Sequence, residues 1–222
     1  LLWAVWCIQQ YGKFVGMDSC VEKYSALVRD IMNWILGNNH ANLKVMENKL
    51  LHSEGRDKAV TWMNSTANGR PVITRTGYIV EFNALWYNAL RFVSELLGEK
   101  ESTLLTEDLN EIAEKAGKAF VETFLNEHGY LLDYVDGNMM DWSVRPNMIF
   151  AAAFDYSPLN ARQKKGVVDI CTKELLTPKG LRSLSPKSGS TLPLIAASVR
   201  TLVVSWKEAA ERNESVASEA FV

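Results

Sequence analysis

The sequence predicts an all-α domain of antiparallel helix pairs, with one or two small β-hairpins inserted between them. Two observations predict it. Apolar residues recur at i, i+3, i+4 spacing in several separate segments, one buried stripe per helix. Short polar connections join those segments, which makes consecutive helices antiparallel neighbours. The clearest stripe is Phe82, Leu85, Trp86, Ala89 and Val93. It closes the stretch around which the chain is organised, Thr61 to Leu90. That stretch starts with a tryptophan in a polar loop, passes a Gly-Arg-Pro turn and a Thr/Ile/Val-rich extended piece, and enters the helix.

The elements follow in order. Leu1 to Val15 reads as a helix already under way, with Trp3, Trp6, Cys7, Gln10 and Phe14 near helical spacing and no capping residue in front. A chain that opens inside a buried helix is expected to be a piece of a longer protein. Gly16 breaks this helix, and Asp18 or Ser19 is placed to cap the next. The stripe of that second helix is Val21, Tyr24, Leu27, Val28, Ile31 and Ile35, and it ends at Gly37-Asn38-Asn39. Leu43 to His52 has little helical period and reads as a hairpin around Glu47-Asn48. After a polar connection from Gly98 to Thr103, Thr106 is placed to cap a helix with Leu109, Ile112, Ala113, Ala116, Phe120 and Phe124 on one side. Asn126 to Gly137 reads as a strand-like stretch and a turn. Pro146 suits the first turn of a further helix, where its missing N–H is no loss, and this puts Asp141 and Arg145 at a helix N-terminal mouth.

Composition sets bounds on function. A net charge of −2 gives no electrostatic reason to expect nucleic acid or an anionic membrane. No stretch reaches the roughly 18 apolar residues of a membrane span, and Leu1 to Ile8 lacks the basic start and cleavage site of a signal peptide. The three cysteines, Cys7, Cys20 and Cys171, are widely spaced in apolar surroundings and read as buried free thiols of a cytoplasmic protein. His40, His52 and His128 are scattered singly, so neither a metal nor another cofactor is expected. Seven tryptophans are many for 222 residues, and they either fill a core or line a carbohydrate cleft.

The central loop does not decide between them, and spacing alone favours a plain solvated loop over a ligand platform. Trp62 stands beside Asn64, Arg70 and Arg75, an indole among polar groups on a loop that leads into a helix. Such a platform receives a sugar or another flat polar ligand; the plainer alternative is a solvated loop ahead of a core helix.

Longer motifs extend this reading. Thr61-Trp62-Met63, Gly69-Arg70-Pro71-Val72, Arg75, Gly77 and Val80-Glu81-Phe82-Asn83-Ala84-Leu85-Trp86-Tyr87-Asn88-Ala89-Leu90 form one dense block. Asn126 to Leu131, Val135-Asp136-Gly137 and Asp141 to Ala151 form a second, and Leu175 to Pro186 a third. Together they resemble the C-terminal glucosidase domain of glycogen debranching enzymes, the amylo-alpha-1,6-glucosidase. The usual bacterial form of that domain reads Thr-Trp-Met-Asp, Val-Glu-Ile-Asn-Ala-Leu-Trp-Tyr-Asn-Ala-Leu and Asp-x-Ser-Ile-Arg-Pro-Asn-Gln-Ile-Phe-Ala. The resemblance covers residues 1–187; residues 188–222 match none of it, although Val199, Leu202, Val203 and Trp206 would share one side of a helix.

The resemblance implies an incomplete (α/α)6 toroid of the six-hairpin glycosidase type over residues 1–187. It implies an α-glucan substrate, glycogen breakdown by hydrolysis at an α-1,6 branch, and an inverting pair of carboxyl groups about 6.5–9.5 Å apart. In the family the acid is the Asp after Thr-Trp-Met, and the base is a Glu far towards the C-terminus. This chain has Asn64 at the acid position, and an amide cannot deliver a proton as an acid. The base motif does not appear. A non-catalytic α-glucan-binding relic of the domain is therefore the alternative to a hydrolase.

Among the remaining motif residues, Glu81 and Asp141 are the further catalytic candidates. Glu81 opens a helix, where a carboxylate also simply favours the helix dipole, and Asp141 could simply pair with Arg145. Trp3, Trp62, Arg145, Asn147 and Asp136 are the substrate-binding candidates, with Trp62 the stacking platform and Arg145 the principal donor; Trp86 belongs to the core. An open toroid would leave apolar helix faces uncovered, so a homodimer, or a dependence on further segments of the domain, is expected.

Overall fold

The structure, a computed structural model, describes residues 1–98, 103–104 and 107–188. Within them lie six α-helices: α1 (Leu2–Val15), α2 (Met17–Leu36), α3 (Val80–Leu97), α4 (Leu109–Phe124), α5 (Ile149–Ala153) and α6 (Ala161–Glu174). Short strands separate them. Ahead of α3 come β1 (Leu43–Val45), β2 (Leu51–Ser53), β3 (Thr66–Ala67), β4 (Arg70–Pro71) and β5 (Gly77–Ile79). Then follow β6 (Thr103–Leu104), β7 (Glu107–Asp108), β8 (Tyr134–Asp136), β9 (Met139–Met140), β10 (Leu176–Thr177) and β11 (Gly180–Leu181). The expected cap at Thr106 and the expected stripe from Val199 to Trp206 fall outside the described residues.

The helix α3 is the centre of the molecule, and α1, α2, α4 and α5 all pack on it. Its sequence shows why. Beside the stripe that ends at Val93 it carries Leu90, Phe92 and Leu96, and all are buried, as is Trp86. A helix apolar on nearly every side belongs inside, and each such large side chain contributes about 1.5–3 kcal/mol on burial. Phe82, expected on the buried stripe, is only half-buried and borders a cleft. The stripe of α4 is buried as its spacing predicts, and Asp108 caps the helix by accepting from the amides of Asn110 and Glu111.

Three expectations need correction. The inward residues of α1 are Leu2, Val5, Ile8, Gln9 and Gly12, whereas Trp3 and Phe14 face out, Phe14 with 89% of its surface exposed. This helix is apolar on two faces, and α3 covers the aliphatic one. For the same reason Cys7 is exposed, and only Cys20 and Cys171 are buried. Neither Asp18 nor Ser19 caps α2; Gly16 itself holds that place with φ of 92°, and no side chain bonds the helix start.

The strand content also exceeds one or two hairpins. The expected hairpin, β1 with β2, is the first pair of a five-stranded antiparallel sheet in the order β1-β2-β5-β8-β9, and three two-stranded ribbons lie apart from it. Polar side chains of α3 fasten this sheet to the core. Asn83 accepts from Leu51 N at 2.7 Å and donates to Leu51 O at 3.0 Å and Ile79 O at 3.1 Å. Trp86 Nε1 donates to Lys49 O at 2.9 Å. Where β5 meets β8, Gly77 adopts φ of 79°, and a Cβ there would stand 2.3 Å from Val135 O. Only glycine permits that approach, and the approach sets the residues on either side of it against one another.

Candidate functional site

Four segments converge beside that crossing. Register pairs Tyr78 with Val135 and Ile79 with Tyr134, and Val80 N donates to Asp133 O at 3.1 Å. Arg75, just before β5, therefore meets Asp133, just before β8. Arg75 Nε donates to Asp133 Oδ2 at 2.8 Å and Nη2 to Oδ1 at 3.0 Å. The other edge of the same guanidinium grips Glu81 in the first turn of α3, with Nη2 donating to Oε2 at 2.6 Å and Nη1 to Oε1. All three side chains are almost wholly buried. Burial opposes the charge on Arg75, and the carboxylates of Asp133 and Glu81 more than offset it, so the guanidinium stays charged. Desolvation raises the carboxyl of Asp133, with Arg75 pulling it down and Glu81 pushing it up.

The loop from Asp141 to Asn147 lies over this network. Asp141 Oδ1 accepts from Ser143 N at 2.8 Å, which turns the chain. Pro146 starts a 3-10 turn, Pro146–Met148, that runs into α5. Asn147 is fully buried and joins three partners: its Nδ2 donates to Asp133 Oδ1 at 2.7 Å and to Met63 Sδ at 3.4 Å, and its Oδ1 accepts from Trp62 Nε1 at 2.8 Å. These partners fix which way the amide points. A polar relay thus runs from Glu81 through Arg75, Asp133 and Asn147 to the indole of Trp62. That indole is 46% exposed, and its loop is turned by Met63 N donating to Thr61 Oγ1 at 3.2 Å.

Arg145 completes the site. Its side chain is 6% exposed, and its Nε lies 3.4 Å from Asp133 Oδ2 and 3.7 Å from Asp141 Oδ2. Charge holds the guanidinium there, yet Nε and Nη1 have no hydrogen-bond partner among the described residues. A buried polar group left unmade costs about 1–3 kcal/mol, more when charged. These N–H groups are shielded from solvent and keep unused donor capacity. Burial, then Asp141 and Asp133, push the Tyr134 phenol up.

The structure therefore brings Trp62, Asn147, Arg145 and Asp141 together, with Glu81 beneath them. Glu81 has a role that neither sequence expectation supplied, since both its oxygens are committed to Arg75. Asn64 stands exposed on the loop beyond Trp62. Asp136 lies outside the cluster; it accepts from Arg56 Nη2 at 2.8 Å and stands 3.9 Å from His52. Trp3 packs edge-on against Trp6 and Phe150, each at 5.5 Å, and with Phe82 and Val60 it borders a cleft of about 460 Å3. Asp133 and the structural part of Arg75 escaped sequence reasoning. The available signal was Arg75 itself, an arginine in an apolar extended run, which needs a buried counter-charge.

The chain matches the family model for amylo-alpha-1,6-glucosidase over residues 1–194. The chain belongs to that family. The match extends a few residues past the 187 that the motifs delimit. The comparison with curated proteins finds no match. Among the described residues no group of three or more His, Cys, Asp or Glu side chains could hold a metal ion, and no helix is long and apolar enough to cross a membrane.

Proposed function

We propose that the chain forms the glucose-binding part of a debranching glycoside hydrolase of the (α/α)6 toroid type, acting at the α-1,6 branch of an α-glucan with inversion. The observation that carries this reading is the pairing of an exposed indole, braced through Asn147, with a buried guanidinium that has N–H groups to spare. Glucose offers both complements. Its C–H face lies on Trp62, and its ring hydroxyls accept from Arg145. Asp141, 3.7 Å from Arg145 Nε, accepts a hydroxyl proton through the oxygen not used by Ser143.

The acid is the weak point of the hydrolase. Asn64 can hydrogen-bond a glycosidic oxygen but has no proton to give, and Glu81 is enclosed by Arg75. Those two facts favour a second reading, an α-glucan-binding relic without turnover. The test is glucose release from a branched limit dextrin by this chain and by Asn64→Asp, each extended with a family C-terminal segment that supplies the base. General acid catalysis contributes 10²–10⁴-fold, about 3–5 kcal/mol at 1.36 kcal/mol per decade. We expect slow release by the Asn64 form and a rise of that order in the Asp variant. Fast release by the Asn64 form would place the acid elsewhere and remove the relic reading. No gain in the Asp variant would detach position 64 from the chemistry.

A further inference from the structure

Of the two apolar faces of α1, the aromatic one is left open. At 3.6 residues per turn, Trp3, Cys7, Gln10 and Phe14 fall in one sector of about 60° on the side away from Val5 and Ile8, with Tyr11 at its edge. Phe14 is almost bare, Trp3 and Tyr11 are 45% and 41% exposed, and Cys7 is exposed. None of the five carries a charge. A surface helix turns charged residues to water, and a helix apolar on every side is a buried one. Among the described residues nothing covers this face.

The face is also braced. Trp3 stands edge-on to Trp6 and Phe150 at 5.5 Å and to Phe154 at 6.2 Å, and Tyr11 meets Tyr24 edge-on at 5.8 Å. Little side-chain freedom is left to lose on association. The charges stand at the rim: Lys13 Nζ lies 2.7 Å from Asp155 Oδ2 on one flank, and Lys23 Nζ 5.7 Å from the Tyr11 ring centroid on the other. An uncharged aromatic centre inside a charged rim is the anatomy of a protein–protein interface.

We propose that this face pairs with the same face of a second copy of the chain, α1 against α1 in antiparallel fashion about a twofold axis. An isologous contact needs a surface that complements itself, and the order of the stripe supplies one. An axis midway between positions 8 and 9 sets Trp3 on the partner's Phe14 and Cys7 on the partner's Gln10, and both pairs recur on the other side of the axis. At ~200 Å2 for a bare ring the three aromatic side chains expose about 350 Å2. With the flanking Val15 and Met17, two copies bury about 1,000 Å2, the size at which specific interfaces begin. An interface that small gives a micromolar dimer, so Cys7 is open to reagents in dilute solution and is covered as the dimer fills. The pairing is independent of the glucan reading.

The test is sedimentation equilibrium of the full chain from low to high micromolar concentration. The apparent mass should rise twofold, from one chain to two, and stop there, because a twofold face closes on itself. Phe14→Glu should hold the mass at one chain throughout; position 14 is bare, and an unchanged near-ultraviolet circular dichroism spectrum shows that the variant is folded. Register is read with Gln10→Cys. Helices packed 8–10 Å apart bring facing positions within disulfide reach, so its new thiol should join the partner's Cys7 on mild oxidation and give a covalent dimer, lost again when Phe14→Glu is added. A single-chain mass at every concentration would overturn the proposal and leave the face to another segment of the domain. A dimer that survives in folded Phe14→Glu would overturn it by placing the contact elsewhere, and so would growth past two chains. A Gln10→Cys chain that dimerises without cross-linking would overturn the antiparallel register.

Discussion

Removing the carboxylate of Asp133 is the sharpest perturbation of the network. Asp133→Ala deletes the acceptor of two Arg75 hydrogen bonds, at 2.8 and 3.0 Å, and of one from Asn147 at 2.7 Å. It also takes the nearest counter-charge from Arg145. Arg75 keeps Glu81, so the site does not hold a bare cation, but Arg145 is left with Asp141 alone. Breaking a buried ion pair by removing one partner costs about 3–5 kcal/mol, against a total stability of about 5–15 kcal/mol for a domain. At about 2–4 °C per kcal/mol for a chain of this size, Tm should fall by about 6–20 °C. The assay is urea unfolding followed by tryptophan emission, with Asp133→Asn as the control. Asn keeps the shape and some hydrogen bonding, so the difference between the two variants reports those bonds, and the loss in Asn reports the charge. A change below about 1 kcal/mol in the Ala variant, the scale of a solvent-exposed pair, would show that Asp133 does not hold these cations together.

Three further outcomes are expected. Asn147→Ala should cost about 1–3 kcal/mol for its lost hydrogen bonds and should abolish the change in Trp62 emission that the proposed function expects on adding glucose, while the chain stays folded; an unaltered response would mean that the indole needs no brace. With a thiol reagent at pH 8, exposed Cys7 should react fast, while Cys171, pushed up to about 12 by burial, and buried Cys20 should react only on unfolding; two or more fast thiols would contradict this. The Glu174 carboxyl is held below its ordinary value by Ser185 and Lys187. Its contribution is therefore present above about pH 4.3 and lost as pH falls through the lower folded value, and Ser185→Ala should bring acid unfolding on at higher pH; identical acid curves would count against the bond.

The helices were legible because their stripes are local. The face of α4 is written in Leu109, Ile112, Ala116 and Phe120 and needs no knowledge of the partner. The face of α1 was misjudged because periodicity cannot choose between two apolar sides, and the choice lies with α3. The sheet was legible only at its hairpin. The β5–β8 pairing joins segments far apart in the chain, and short strands of two or three residues show no alternation to read. The site followed the same division. Trp62, Arg145, Asn147 and Asp141 could be gathered from motif context, and they meet. Asp133 could not, since nothing in its neighbours marks it until Arg75 arrives from 58 residues away.

This division bears on how the site is built. Its exposed indole and the Arg145 guanidinium both stand on loops, which by themselves would place a side chain loosely. The structure supplies rigidity from below: Gly77 lets two strands close in, the crossing sets Arg75 against Asp133, and Glu81 ties both to the first turn of the central helix. Each loop then takes one anchor from that base, Asn147 from Asp133 and Trp62 from Asn147. The cluster sets three carboxyl groups, those of Glu81, Asp133 and Asp141, against the two guanidinium groups of Arg75 and Arg145. Under the proposed function this mixture, with Nε and Nη1 of Arg145 still short of hydrogen bonds, suits a neutral ligand whose hydroxyls both accept from the guanidinium and donate to Asp141. An anion would have three carboxyl groups as neighbours and nothing to offer Asp141, so the proposed function expects glucose and not phosphate to bind at this cluster.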